Sequence, residues 1–293
     1  MRPISIDGWS SLRGNKMENE FNKKRIEKLI KEVFLDSNID SYEKLTGGLV
    51  HLNFKVKIKN PEKEIVVRIS KLKYKQRITK NNLAMKYLRE NNLPTPRIFL
   101  ERVYYRKFIT IMEFVEGENG EDVYNESDES VRIKILENFG KTLSEIHGLR
   151  IPNFWNHEKH EIKNRKQWGF WTRERIEKYL KFVKTNLPQY YSFLERELHE
   201  FYDLLKKNEN SIRFVPLHWD YHPANVNVDS NSQITGIFDF DNCMKGHNLS
   251  DIGQTKYWIW SRMKSIEKFD FFLKGYSNKF SKQDLKIIHG YFL

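Results

Sequence analysis

Residues 214–253, FVPLHWDYHPANVNVDSNSQITGIFDFDNCMKGHNLSDIG, are the stretch to which the rest of the chain must be fitted. Apolar runs are broken there by Asp220, by Asn225 five positions on, and by Asp239 fourteen positions further. A carboxylate in a short loop can orient a hydroxyl and take its proton, while an amide oxygen and a second carboxylate offer hard oxygen ligands to Mg²⁺. Asp239 follows a second strand-like run, Ile234 to Phe238, so the parts come in the order of a site that handles a Mg-nucleotide. The residues by themselves point to phosphoryl transfer.

Taken singly, each has an ordinary use as well. Asp220 could cap a helix, Asn225 could form a turn, and Asp239 could bond the backbone at a strand end. His218, Asp220 and His222 alternate along the chain, but no cysteine or further histidine completes a zinc set around them. The spacing of all three polar residues between strand-like runs is what favours the joint reading.

LHWDYHPANV, GIFDFDN and LSDIG together resemble the core of the aminoglycoside phosphotransferase and choline kinase-like family, whose members have a protein-kinase-like fold. The resemblance implies an α+β chain of two lobes. A small antiparallel-sheet N-lobe with its hinge would span residues 17–117, and a mainly helical catalytic and acceptor-binding C-lobe would span 118–293. It further implies that Asp220 is the catalytic residue facing the acceptor hydroxyl, that Asn225 and Asp239 hold Mg²⁺, and that His218 and Asp251 brace the catalytic loop. Trp219 stands where the family often has Gly, and its bulk beside Asp220 would narrow the acceptor pocket.

Further upstream, TGGLVHLNFKVK resembles the nucleotide loop of that family, with Gly47 and Gly48 letting the backbone approach phosphates. Arg68, in the strand IVVRIS, stands where the family pairs a basic residue with phosphate oxygens, which a guanidinium can reach in a fork. IMEFVEG resembles the hinge, so Glu113 and Val115 would meet the base of ATP, or of GTP, through their backbone groups. One position departs from the pattern. The helix over ITKNNLAMKYLRE should offer a Glu to Arg68, and Asn81 stands there instead. A catalytically silent kinase-like binding protein is the alternative which that departure supports.

Composition narrows the class. The 293 residues suffice for two lobes, and no apolar run is long enough to span a membrane. Residues 1–16 read as a polar leader without a signal core, which points to a cytoplasmic chain. Cys243 is the sole cysteine, so neither a disulfide within the chain nor a cysteine zinc site is available. The net charge of +12 comes from lysines spread along helical stretches, not gathered with aromatic platforms, and implies no dedicated nucleic-acid partner.

Helical spacing runs from Phe21 to Phe34, and residues 36–41 read as a turn. Strands are expected over Tyr42–Thr46, Leu52–Ile58, Glu64–Ile69, 98–103 and 107–115. Helices are expected over 78–90, 131–149, 173–184, 193–207, 265–275 and 282–290. Trp155, Trp168, Phe170 and Trp171 read as core, with facing a ligand as the alternative. After the hinge, seven acidic residues fall between Glu116 and Glu129 with no Lys or Arg among them. That stretch reads either as a solvated loop or as a rim for a cationic acceptor. The acceptor expected is therefore a small hydroxylated amine such as an aminoglycoside, with choline-, homoserine- or sugar-type acceptors as alternatives and a monomer or dimer as the assembly.

Overall fold

Strict alternation writes the first sheet. In β2 (Leu52–Lys59), Leu52, Phe54, Val56 and Ile58 are buried and the residues between them are only partly covered. Successive strand side chains point to opposite faces, so this pattern sets one face on a core and the other toward water. β3 (Lys63–Lys71) repeats it with Ile65, Val67 and Ile69. With β1 (Asn38–Leu45), β4 (Ile98–Tyr104) and β5 (Lys107–Glu113) they form an antiparallel sheet ordered β1-β2-β3-β5-β4. Helix α1 (Lys23–Lys31) closes the core with Ile26, Leu29 and Ile30, spaced to share one face.

This computed structural model describes residues 23–45, 51–156, 162–277 and 279–293. The expected leader over 1–16 and the Gly47–Gly48 turn lie outside them. One expectation here is corrected. Asn38 and Ile39 are not a turn but pair with Lys59 and Ile58, and a bulge before Ser41 absorbs the irregularity. The partner strand overrides the turn chemistry of the local sequence.

Contacts divide the chain into two compact units, Met1–Asn82 with Pro96–Val115, and Leu83–Thr95 with Glu116–Leu293. The change falls inside helix α2 (Lys75–Glu90). Tyr87, in its second half, donates to the Arg150 carbonyl at 2.6 Å and meets the Trp155 ring edge-on. Just beyond it, Ile237 N donates to the Pro94 carbonyl at 2.8 Å.

The larger unit is mostly helical. A two-residue strand, β6 (Glu118–Asn119), leads into α3 (Gly120–Glu126), α4 (Glu129–Gly148), α5 (Arg165–Asn186) and α6 (Tyr191–Lys207). Four short strands follow: β7 (Phe214–Leu217), β8 (Val226–Val228), β9 (Ile234–Ile237) and β10 (Met244–His247). Helices α7 (Asn248–Ser261), α8 (Phe269–Tyr276) and α9 (Lys282–Phe292) complete it. α4 and α8 touch backbone to backbone, since a methyl added at Gly275 would lie 1.9 Å from the Glu137 carbonyl oxygen.

α5 begins eight residues earlier than its spacing suggests, because Asn164 caps it by accepting from Gln167 N at 3.0 Å. The added turns bury Trp168 and Trp171, whereas Phe170 is 63% exposed and is not core.

Candidate active site

Two antiparallel pairs carry the quoted stretch. β7 pairs with β10, Leu217 opposite Met244, and the chain leaves β7 into the loop His218–Trp219–Asp220. Asp251, in the first turn of α7 and 0% exposed, holds that loop by its backbone. Its Oδ2 accepts from His218 N at 2.8 Å and its Oδ1 from Trp219 N at 2.9 Å. His147, from α4, reaches the same Oδ2 with Nε2 at 3.1 Å and meets the Tyr276 hydroxyl with Nδ1 at 2.8 Å. Burial pushes His147 below the usual histidine range. The neutral ring thus donates from Nε2 and accepts from Tyr276.

Trp219 pays for its place in the loop with a left-handed backbone, φ 63°. That region disfavours any residue with a Cβ, by roughly 1–2 kcal/mol, and suits the glycine that the family often keeps there.

The second pair brings Asn225 and Asp239 to one end. β8 and β9 run antiparallel with Val226 opposite Ile237, so Asn225 comes level with Phe238, whose N–H donates to the Asn225 carbonyl at 2.9 Å. His218 ties the two segments as well, its Nε2 donating to the Phe238 carbonyl at 2.9 Å. Burial lowers the His218 pKa against the opposing pull of Asp251 and Asp239, which keeps that ring neutral. Asn225 Nδ2 donates to the Asp220 carbonyl at 3.0 Å, which fixes the amide and leaves its oxygen as the acceptor. Asp239 sits at φ 62°, is exposed, and bonds no described residue through its carboxylate.

One carboxylate and one amide oxygen suit a hard cation that completes its shell with phosphate oxygens and water, as Mg²⁺ does. Among the described residues no group of three or more His, Cys, Asp and Glu gathers.

His222 lies 3.8 Å from Asp220 Oδ1. Burial, with help from Arg262 and His218, lowers its pKa to about 4, so at neutral pH it is not a cation paired with Asp220.

In the smaller unit Arg68 is held by an amide. Its Nε donates to Asn53 Oδ1 at 3.1 Å from the neighbouring strand. Asn81 Nδ2 donates to Asn82 Oδ1 at 3.1 Å, and Asn82 donates to Glu101 Oε1 at 2.8 Å and to Thr110 Oγ1 at 3.1 Å. The two helix amides are buried and serve this network. At the end of β5, Glu113 N donates to the Arg97 carbonyl at 2.8 Å, so that N–H is already used. Val115 is the last residue of the unit.

A sequence profile of the phosphotransferase enzyme family matches residues 41–285, most of the chain and all of the residues just described. The chain belongs to that family. No curated protein sequence matches it. Among solved structures it is similar to an aminoglycoside phosphotransferase of Streptomyces rimosus, in complex with ADP and streptomycin, at 13% identity and a TM-score of 0.56, over 90% of this chain and 96% of that one. It is similar also to an ethanolamine kinase of Plasmodium vivax at 16% identity and a TM-score of 0.58, over 99% of this chain and 87% of that one. At such identities the likeness is one of fold: the two-lobed, kinase-like phosphotransferase architecture.

The acidic stretch finds partners that its own sequence lacks. Glu121 pairs with Arg262 and Glu129 with Lys268, both from beyond Asp251, and Asp128 caps α4 by accepting from Val131 N at 3.0 Å. Glu116, Glu118, Asp122 and Glu126 remain exposed.

Next to the loop the larger unit opens a cavity of about 430 Å³. Trp219, the residue before Asp220, forms one wall, with Trp171, Arg175, Tyr179, Gln254 and Tyr257 among the others. Sequence reasoning placed Trp171 in the core and passed over Arg175. Only the fold brings them beside Trp219. A wider depression of about 850 Å³ near Lys163, Arg165 and Lys245 contains, among the described residues, none of the His218–Trp219–Asp220 loop.

Proposed function

We propose that this protein transfers the terminal phosphate of ATP, or of GTP, to a hydroxyl group of a small molecule. The observation that carries this reading is the convergence of Asp220, Asn225 and Asp239 on strands and loops tied together by Asp251, His218 and the Asn225–Phe238 backbone bond. Asp220 orients the acceptor hydroxyl and takes its proton as the bond to phosphorus forms. Asn225 and Asp239 would hold Mg²⁺, which when bound neutralises charge on the phosphate oxygens. Arg68, oriented by Asn53, supplies a fork for phosphate oxygens, and Gly47 and Gly48 let the backbone approach them. The Glu113 carbonyl and the Val115 backbone serve the base.

Catalysis of this kind is placement and charge neutralisation more than covalent chemistry, which is why bracing by a buried Asp251 matters as much as the reacting groups. The amine-acceptor reading is favoured by Glu116, Glu118, Asp122 and Glu126 alone, because the other three acidic residues of that stretch are engaged elsewhere. Acceptor-dependent ADP release, screened across hydroxylated amines, acids and sugars with Mg-ATP, tests the proposal. It requires at least one acceptor turned over by the wild type and not by Asp220→Asn. Equal turnover by that variant would remove Asp220 from the chemistry.

A further inference from the structure

Among the described residues, the wall of the cavity beside Trp219 contains Arg175 and no acidic side chain. Arg175 lies with its guanidinium 4.8 Å from the Trp171 ring centre and 5.8 Å from that of Trp219. Both distances place it over an indole face, where the ring quadrupole attracts it. Arg175 is exposed as a residue, but the head group pressed against two indoles is desolvated, and burial draws its pKa below the usual arginine range. It forms no ion pair with any described residue. Across the cavity, Gln254 Oε1 is buried without a hydrogen-bond partner among the described residues. The aromatic walls suit a flat or apolar body, and a planar fork of N–H donors suits an anionic oxygen group. A polycation brought into this cavity would meet the Arg175 charge and, among the described residues of the wall, no carboxylate side chain.

We propose that the acceptor is a small hydroxylated acid, carrying a carboxylate or phosphate that Arg175 reads while its body lies along the aromatic wall of Trp219, Tyr179 and Tyr257. Gln254 Oε1 is the acceptor for a hydroxyl or N–H of the same molecule. The identification of the cavity as the acceptor site rests on the phosphotransferase reading, through the chain neighbours Trp219 and Asp220. Arg175 is thus a specificity-determining residue, and this assignment is the reverse of the cationic acceptor expected from the acidic stretch.

The test uses probes with one body and one hydroxyl: para-hydroxymethyl benzoate, its primary amide, para-hydroxymethyl benzylamine and para-hydroxymethyl phenyl phosphate. Each is titrated into the full chain without nucleotide, read by tryptophan fluorescence, for wild type, Arg175→Gln, Arg175→Lys and Asp220→Asn. The wild type should bind one of the two anions about tenfold or more tighter than the amide, with the benzylamine weakest, a ratio that corresponds to one charge-assisted contact. Arg175→Gln should erase the preference, Arg175→Lys should restore part of it, and Asp220→Asn should keep it. The two anions, compared directly, tell a carboxylate-reading pocket from a phosphate-reading one. Benzylamine binding as tightly as the anions, a preference that survives Arg175→Gln, or no saturable binding of either anion overturns the proposal. Because no nucleotide is present, such a failure is separate from a failure of the phosphotransferase reading, which is read from Mg-ATP affinity.

Discussion

The loop around Asp220 and the strand around Arg68 are both polar, and they are held by opposite means. The loop hangs from a fully buried carboxylate that takes two backbone N–H groups and a neutral histidine. Arg68 is steadied by an amide on the next strand. A buried, multiply bonded group leaves a segment one arrangement, because each broken bond strands a donor away from water. The Asn53 amide orients the Arg68 guanidinium through its Nε. The contrast teaches that the Asp220 loop is fixed by its backbone to a charge inside the core, whereas Arg68 takes a neutral side chain of the adjacent strand as one of its partners.

The sharpest way to break the comparison is Asp251→Asn, which puts an amide donor where one of the two N–H groups now finds an acceptor. Leaving that donor unsatisfied and weakening the His147 contact should cost about 2–4 kcal/mol of stability. Denaturant unfolding would register the loss, together with loss of turnover. A fold as stable as wild type would mean that the loop is held by something else.

Acid should separate the two regions next. His147, His218, His222 and His247 all belong to the larger unit and all have pKa values lowered by burial. For His247 the value falls from 6.5 to about 3. Between those limits the unfolded chain binds a proton that the native chain refuses, so stability is fully present above pH 6.5 and is lost as pH falls toward 3. Amide exchange at mildly acidic pH should therefore rise in β7, β10 and α4 before it rises in β2 and β3. Simultaneous opening, or the reverse order, would contradict it. A His247→Gln variant should show a shallower pH dependence.

The smallest effect is expected at Asn53. Arg68→Ala should weaken Mg-ATP binding on the order of tenfold to a hundredfold, as loss of a charge-assisted contact does, whereas Asn53→Ala should weaken it by less than about tenfold. Equal losses would show that the amide is as essential as the charge.

How much of this was legible beforehand follows the distance over which each bond acts. β2 and β3 could be read from alternation because their pattern is local, and the order of Asp220, Asn225 and Asp239 because one short stretch contains it. The start of α5 was hidden by an aromatic-rich segment with no clean period, and only its Asn164 cap marks it. The partners of Arg68 were out of reach, since Asn53 becomes its neighbour through strand register. So were the partners of Glu121 and Glu129, Arg262 and Lys268, which lie at the end of α7 and in the turn after it. His147 and Asp251 are 104 positions apart, and nothing in either neighbourhood announces that they share a bond. Arg175 was unreadable for the same reason: its meaning depends on the two indoles that the fold sets beneath it.

The central claim is that Asp239 belongs to the metal and Asp220 to the acceptor. The measurement that meets it most directly is nucleotide affinity, taken with and without Mg²⁺, for wild type, Asp239→Asn and Asp220→Asn. Asp239→Asn should weaken Mg-ATP binding by on the order of tenfold or more while barely changing metal-free binding. Asp220→Asn should leave both close to wild type even though its turnover is gone. Equal, unchanged affinities in the two variants, or a Mg²⁺-dependent loss in Asp220→Asn alone, would contradict the assignment.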